Sequence, residues 1–161
     1  MSVHKTNDIV VRAPLTKVFS VASNLPRWPE YLSHYRYNRY IRQSPSGGLV
    51  KMACSHGGIT IKSVCEFRIE PENAELHFHY VSSTLNAVRG MRATWEFEEL
   101  LGDLVRVTIN HDFEAKLPLF GRVLELLAAD SFFVKNITPL TLAGLKRKAE
   151  TQVLYSALGR G

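Results

Sequence analysis

The sequence predicts an α+β fold in which a seven-stranded antiparallel sheet packs against one long C-terminal helix. Residues 35–116 divide into short alternating segments separated by turn residues, which is typical of antiparallel strands. Residues 120–149 instead carry apolar side chains at three- and four-residue spacing, which is typical of an amphipathic helix. The sheet and the helix must bury each other's apolar faces, so we expect one domain spanning residues 1–161.

The long helix contains two sequence features that predict irregularity. Asp130 and Ser131 could cap a new helical start inside it. Pro139 predicts a kink, with Thr138 as a cap. A bent helix need not pack flush on a sheet, so we expect a cavity between them. The predicted apolar stripe consists of Leu124, Leu127, Ala128, Phe132, Ile137, Leu140, Ala143 and Leu145.

The chain is predicted to open as strand, helix, helix. Residues 7–12 are rich in β-branched side chains, and Pro14 suits the first turn of the helix that follows. Trp28 begins a second, very short helix with Pro29 near its start. The six later strands are predicted at residues 35–42, 49–56, 59–70, 74–81, 91–98 and 105–115.

Composition is that of a soluble globular protein, with 45% hydrophobic and 22% charged residues. No apolar run approaches the roughly 20 residues of a membrane helix, and the polar N-terminus favours a cytoplasmic protein. The net charge of +5 is dispersed. Its one dense cluster, residues 146–148, falls in the last turns of the long helix, where cations suit the helix dipole. We therefore expect no nucleic-acid partner.

Cysteine and histidine usage argues against metal and cofactor chemistry. Cys54 and Cys65 do not form a disulfide framework and are expected to be buried free thiols. His77 and His79 share a face, but only Glu75 lies near them in sequence, so no metal site is predicted. Nucleophile-elbow, P-loop, dinucleotide-binding and zinc-protease motifs are lacking, so no cofactor is predicted.

Alternation along the strands assigns the side chains to two faces of the sheet. A two-residue turn at Gly57-Gly58 places Cys54 opposite Ile61 on the inner face. Carrying the same pairing back across the Ser46-Gly47 turn predicts which side chains of the second strand point inward. A one-residue change in the type of that loop would reverse this prediction. Aromatic walls with a few polar tips indicate a small-molecule pocket. The inward set from the third strand onward is Val50, Met52, Cys54, Ile59, Ile61, Ser63, Cys65, Phe67, Leu76, Phe78, Tyr80, Ala93, Trp95, Phe97, Val105, Val107, Ile109, His111 and Phe113, and the set added from the second strand is Tyr35, Tyr37, Arg39 and Ile41.

Residues 11–42 read VRAPLTKVFSVASNLPRWPEYLSHYRYNRYIR, with a strand ending in Ala13-Pro14, a helix carrying Val18-Phe19, and Trp28-Pro29-Glu30 before Tyr35. This stretch resembles the start of the START-like, helix-grip superfamily, and within it the polyketide aromatase/cyclase branch. The resemblance implies a strongly curved sheet that grips the long helix around a deep cavity. Members of the superfamily bind lipids, sterols, polyketides, quinones or aromatic hormones.

The same resemblance implies roles for individual residues. Tyr35 matches a pocket tyrosine, Trp95 an aromatic wall position, and His111 a polar pocket residue two positions before Phe113. Arg68 is the nearest match to a fourth-strand arginine that guides ring closure. Alternation places Arg68 on the outer face, and only a bulge would turn it inward.

The candidate catalytic residues are therefore Tyr35, His111 and Arg68. His111 could move protons, because its reference pKa is about 6.5, or it could be a neutral core histidine. Tyr35 could orient a phenolic or enolic oxygen. Arg39 would need an anionic partner if it points inward. The candidate ligand contacts are Trp28, Tyr37, Arg39, Tyr80, Trp95, Phe113 and Asn136.

Three functions stay open at this point. The first is an aromatase/cyclase-like enzyme that binds a hydrophobic polyketide, supplied by a polyketide synthase carrier protein, and catalyses aldol cyclisation and dehydration. The second is a lipid or quinone carrier of the same fold without catalysis. The third is a scaffold whose cavity is incidental. A homodimer is also left open.

Overall fold

The seven strands form one antiparallel sheet in the order β1-β7-β6-β5-β4-β3-β2, in a computed structural model that describes residues 2–114, 121, 123 and 127–159. The predicted α+β, helix-grip fold is confirmed. The strands are β1 (Ser2–Arg12), β2 (Tyr35–Ser44), β3 (Gly47–His56), β4 (Ile59–Glu70), β5 (Glu75–Ser83), β6 (Arg92–Leu100) and β7 (Leu104–Glu114). The helices are α1 (Leu15–Ser23), α2 (Trp28–Tyr31), a π-helical segment (Asp130–Ile137) and α3 (Thr138–Leu158).

The β3–β4 hairpin follows the predicted register. Gly57 and Gly58 form its two-residue turn with φ of 58° and 80°, and Cys54 pairs with Ile61. Positive φ at both turn residues suits glycine, which has no Cβ to clash. The inward set predicted for β3 to β7 is buried, with one exception. Ile59, which directly follows the Gly57-Gly58 turn, is 56% exposed.

The predicted inner face of β2 is wrong beyond Tyr35. The β2–β3 register shifts between Tyr35 and Tyr37 and again between Tyr40 and Arg42. Each bulge adds one residue to β2 and reverses the side of every residue that follows. The buried or half-buried inward side chains are therefore Tyr35, Asn38 and Tyr40, whereas Tyr37, Arg39 and Ile41 lie on the outer face.

The long helix is continuous where a restart and a cap were predicted. Ala129 and Thr138 both have right-handed helical backbone angles, and neither junction has a side-chain cap. Pro139 lies where the π-helical segment gives way to α3. Because proline has no N–H, it cannot extend the π-helical bonding to the carbonyl of Val134. The side-chain amide of Asn7 on β1 donates to that carbonyl instead, at 3.1 Å.

The π-helical segment also shifts the apolar stripe from its predicted positions. Its buried residues include Phe132 and Ile137, which are five positions apart, as expected for i to i+5 bonding. Leu127, Leu140 and Ala143 are exposed, contrary to the prediction, and Leu124 lies outside the described residues. None of the described helices is both long enough and apolar enough to span a bilayer.

Gly47 is required where β3 leaves its turn and runs close to β4. A Cβ at this position would lie 2.3 Å from the carbonyl oxygen of Phe67, which is fixed in the sheet. We expect Gly47→Ala to lower the free energy of unfolding by about 1–3 kcal/mol, as for other overpacked sites. Gly57→Asn is the matched control, because a Cβ added at Gly57 would have no neighbouring atom within 4 Å and asparagine tolerates positive φ. Equal urea midpoints for the two variants would contradict the prediction.

Candidate functional site

A small cavity lies between the inner face of the sheet and the long helix. The volume open to the centre of a water molecule is about 20 Å³. That volume holds about one water molecule, so the deep cavity implied by the resemblance is largely filled by side chains. Its lining consists of Trp28, Tyr35, Met52, Phe78, Tyr80, Ala93, Trp95, Ile109, His111, Phe133, Ile137, Thr138 and Thr141.

Stacked aromatic rings form one wall of the cavity. The Trp28 ring stacks on Trp95 with centroids 5.2 Å apart, and Tyr35 meets Trp28 edge to face at 5.1 Å. The Nε1–H of Trp28 donates to the carbonyl of Ala22 at 2.9 Å, which fixes the indole. Across the cavity, Phe133 meets Tyr80 at 5.9 Å. These contacts present flat apolar surface to any molecule between them.

His111 brings a fully buried polar atom without a hydrogen-bond partner to this site. Its side chain is 3% exposed, and Nδ1 has no hydrogen-bond partner among the described residues. Burial lowers the pKa of His111 to about 4, against an opposing effect of Asp112 and with a smaller lowering effect of His4. The imidazole is therefore neutral at pH 7, and Nδ1 is available to a polar atom that enters the cavity.

Tyr35 belongs to a second polar group, on the helix side of the cavity. Burial raises the pKa of Tyr35 well above its ordinary value, so its hydroxyl stays protonated. Its ring meets that of His34 with centroids 5.0 Å apart, and Nε2 of His34 lies 2.7 Å from the hydroxyl oxygen of Thr141. Thr141 also donates to the carbonyl of Ile137 at 2.8 Å. His34 and Thr141 are thus linked by a hydrogen bond beside the aromatic wall.

Five of the predicted site residues are brought together here and five are not. Tyr35, Tyr80, Trp95 and His111 line the cavity, as the face assignment predicted, and so does Trp28 of α2, which was a predicted ligand contact. The residues that do not line it are Tyr37, Arg39, Arg68, Phe113 and Asn136.

The bulges of β2 explain two of these differences. Tyr37 and Arg39 lie together on the outer face, where the guanidinium of Arg39 sits over the Tyr37 ring at 5.2 Å. This cation–π contact satisfies both side chains without a ligand. Phe113 does point inward and is buried, but it packs in the apolar core beyond the cavity.

Arg68 and Asn136 make their polar contacts outside the cavity. Arg68 is exposed on the outer face, as alternation predicted and contrary to the role implied by the resemblance. Its Nε lies 2.6 Å from a carboxylate oxygen of Glu70, and it borders an outer-face groove of about 470 Å³. The side-chain amide of Asn136 donates to the carbonyl of Ser131 within the π-helical segment. The cavity therefore has no arginine among its described lining residues.

The other groups considered for chemistry lie apart from the cavity or are unreactive. Nε2 of His77 lies 2.9 Å from Glu75 and 3.5 Å from Glu70, whereas His79 faces Glu66. These residues are on the outer face of the sheet. Cys54 and Cys65 are buried free thiols, and burial raises the pKa of Cys54 to about 12, so the thiolate is not populated at pH 7.

Sequence reasoning missed His34 and most of the helical side of the site. His34 immediately precedes β2, where alternation gives no orientation. Phe133, Thr138 and Thr141 belong to positions whose phase the π-helical segment sets. The signal that could have pointed to them is the apolar pair Phe132-Phe133 followed five residues later by Ile137-Thr138.

A sheet closed over a long helix, with an aromatic cavity between them, is the arrangement of helix-grip ligand-binding proteins. The family model for polyketide cyclase / dehydrase and lipid transport matches residues 11–133, which is more than half of the chain. The chain therefore belongs to this family. A search of curated proteins finds no match to the sequence.

Solved structures with low sequence identity share this fold over nearly their whole length. The Zhui aromatase/cyclase from Streptomyces sp. R1128 superposes with a TM-score of 0.81 at 16% identity, covering 95% of this chain and 96% of its own. The protein TTHA0849 from Thermus thermophilus gives 0.78 at 19% identity, covering 93% and 99%. A START superfamily protein from Mycobacterium smegmatis gives 0.69 at 13% identity, covering 89% and 97%.

Proposed function

We propose that the protein binds a hydrophobic, aromatic or polycyclic small molecule between the sheet and the helix, with an oxygen of that molecule near His111. The observation that carries this proposal is the unpartnered Nδ1 of a histidine that is 3% exposed. A buried polar atom without a partner costs about 1–3 kcal/mol, and a ligand oxygen would remove that cost. The aromatic wall supplies complementary stacking surface.

Ligand entry requires the walls of the cavity to separate. The cavity volume of about 20 Å³ is far below the several hundred Å³ of a pocket that encloses a ligand of ordinary size. The strands are held together by ladders of backbone hydrogen bonds, whereas the opposite wall is the π-helical segment carrying Phe133 and Ile137. Because π-helical turns are rare and less stable than α-helical ones, we propose that this wall yields.

In the catalytic form of the proposal, the ligand is a poly-β-ketone that undergoes aldol cyclisation and dehydration. Neutral His111 accepts a proton from the carbon between two carbonyls, and the resulting enolate carbon bonds to a distant carbonyl carbon. The imidazolium returns the proton to that carbonyl oxygen, and loss of one water molecule then gives the unsaturated ring. A low pKa makes imidazolium a good proton donor in the second step. Tyr35 would hold the enol.

Variants of the two polar residues test the catalytic form. We expect His111→Ala and Tyr35→Phe to reduce product formation from a linear poly-β-ketone thioester by about 10²–10⁴-fold. Ligand affinity should change far less, because the aromatic wall remains. Affinity can be followed by tryptophan fluorescence, since both tryptophans of the chain line the cavity. Normal turnover by both variants would show that the assignment is wrong.

Carriage of a lipid or quinone without chemistry is the alternative, and the lipid transport named in the family description favours it. Native mass spectrometry of the purified protein distinguishes carriage from catalysis. A co-purifying lipid or quinone, with no turnover by the wild type, would support carriage. In the catalytic form of the proposal, a polyketide synthase carrier protein would deliver the substrate. Whether the protein forms a homodimer is a separate question, which light scattering would test.

A further inference from the structure

The turn between β4 and β5 brings together three metal-ligating side chains on the outer face of the sheet. Glu70 ends β4, and Glu75 begins β5 as its direct cross-strand partner. His77 follows Glu75 by two positions, so alternation puts both on the same face. The sequence predicted no metal site, because only Glu75 lies near His77 along the chain. The hairpin adds Glu70 from the other strand.

The ligand atoms of these side chains already converge on one point. Nε2 of His77 lies 2.9 Å from Oε2 of Glu75 and 3.5 Å from Oε2 of Glu70, and one ligand atom of each residue lies within 4.8 Å of the others. Ligand atoms that surround a tetrahedral Zn²⁺ at about 2.0–2.2 Å are themselves about 3.3–3.6 Å apart. Small side-chain rotations would therefore bring all three atoms to zinc distances. The side chains are about one-third exposed, so an ion can reach them from solvent.

Two neighbours of Glu70 leave its ligand oxygen usable. Nε of Arg68 lies 2.6 Å from Oε1, so the guanidinium holds the oxygen that points away from His77. The side-chain amide of Asn73, in the turn, donates to Oε2 at 3.2 Å. Turned over by 180°, this amide presents Oδ1 at the same place and adds an oxygen ligand. Two carboxylates, an imidazole and an amide oxygen make the four ligands of a tetrahedral site.

The charges on this face of the sheet also favour a bound cation. Glu70, Glu75 and Glu96 stand directly opposite one another on β4, β5 and β6. Like charges in directly opposite positions destabilise a sheet. Arg68 balances one of the three charges, and Glu96 accepts a hydrogen bond from the neutral amide of Asn110. A divalent cation beside Glu75 would balance the other two.

We propose that the β4–β5 turn binds one Zn²⁺ ion through Glu70, Glu75 and His77. The imidazole ligand selects zinc over Mg²⁺ and Ca²⁺, which take oxygen ligands. The ion joins the ends of two adjacent strands, so its binding stabilises the folded state over the unfolded one. The site lies on the opposite face of the sheet from the aromatic cavity. This inference is therefore independent of the proposed function.

Calorimetric titration of the chelator-treated protein with zinc chloride tests the site directly. We expect one equivalent to bind, with a dissociation constant on the order of 1 µM. Magnesium chloride at the same concentrations should give no saturable binding, because Mg²⁺ needs a set of oxygen ligands. Saturating zinc should also raise the urea midpoint of the protein.

Glu75→Gln and His77→Gln remove one ligand each and nearly preserve side-chain size. Both should weaken zinc binding by at least about 100-fold, because even a partner behind a ligand accounts for about 10–100-fold in affinity. Both positions are partly exposed, so the variants should keep the circular dichroism spectrum of the wild type. His79→Gln is the matched control, because His79 lies on the same strand and face but meets only Glu66, at 3.7 Å. Its affinity for zinc should stay within about twofold of the wild type, because the ligand set is unchanged.

The outcomes distinguish a zinc site from a histidine that only pairs with two carboxylates. Zinc binding that is not saturable below about 100 µM would leave His77 as an ordinary hydrogen-bonded residue and overturn the inference. Wild-type affinity in Glu75→Gln or His77→Gln, or equal losses in His77→Gln and His79→Gln, would place the ion elsewhere and overturn it too. Each of these results leaves ligand binding in the cavity, measured separately by tryptophan fluorescence, unaffected.

Discussion

Replacing Trp28 by alanine is expected to lower the free energy of unfolding by about 3–5 kcal/mol, the cost of removing a large buried aromatic ring. The Trp28 side chain is 2% exposed, stacks on Trp95 and meets Tyr35 edge to face. Its indole also supplies the hydrogen bond to the carbonyl of Ala22, which the alanine variant leaves buried without that donor. Urea unfolding followed by circular dichroism measures the loss.

Two further variants separate the packing of Trp28 from a general effect of aromatic truncation. Trp28→Phe keeps a stacked ring and should lose less than Trp28→Ala. Tyr37→Ala removes a ring from the outer face and should cost less than about 1 kcal/mol. Added indole should fill the space left in Trp28→Ala and raise its midpoint by more than it raises that of the wild type. A loss below about 1 kcal/mol for Trp28→Ala would show that the ring is not part of the packed wall.

The faces of β3 to β7 were predictable because side chains alternate over the residues that form the inner face, and the register shift between β4 and β5 lies beyond Tyr80. His111 and Trp95 fall on the inner face by counting alone, and both line the cavity. β2 could not be predicted in the same way. The residues that its bulges insert, Arg36 and Ile41, do not differ in type from ordinary strand residues, so the sequence carries no sign of the change of side.

The helical half of the site was less predictable for a related reason. A periodicity of 3.6 residues was assumed, but residues 130–137 are π-helical, which moves Phe133 and Thr141 into the wall of the cavity. The volume of the cavity depends on how large side chains such as Phe133 and Tyr80 pack against one another. Composition predicts an aromatic lining, but not how completely the rings fill the space.

Acidification from pH 7 to 4 is expected to destabilise the protein, with His111 alone contributing about 3 kcal/mol. Burial lowers the pKa of His111 to about 4 in the folded protein, whereas the unfolded chain has the ordinary value of 6.5. Between these values the unfolded state binds a proton that the folded state does not, so stability falls as the pH falls. One pKa unit corresponds to about 1.4 kcal/mol, which gives the expected size. His34, whose pKa is also lowered to about 4 by burial, acts in the same direction.

His111→Leu distinguishes this contribution from the acid sensitivity of the carboxylates. Leucine removes both the titrating group and the unpartnered Nδ1, so the variant should be about 1–3 kcal/mol more stable at pH 7 and should lose less stability between pH 6.5 and 4. His79→Gln, on the outer face, should leave the pH dependence close to that of the wild type. Urea midpoints at several pH values measure both effects. An unchanged slope in His111→Leu would mean that His111 is not held neutral by burial, and its availability to a ligand oxygen would fall with that result.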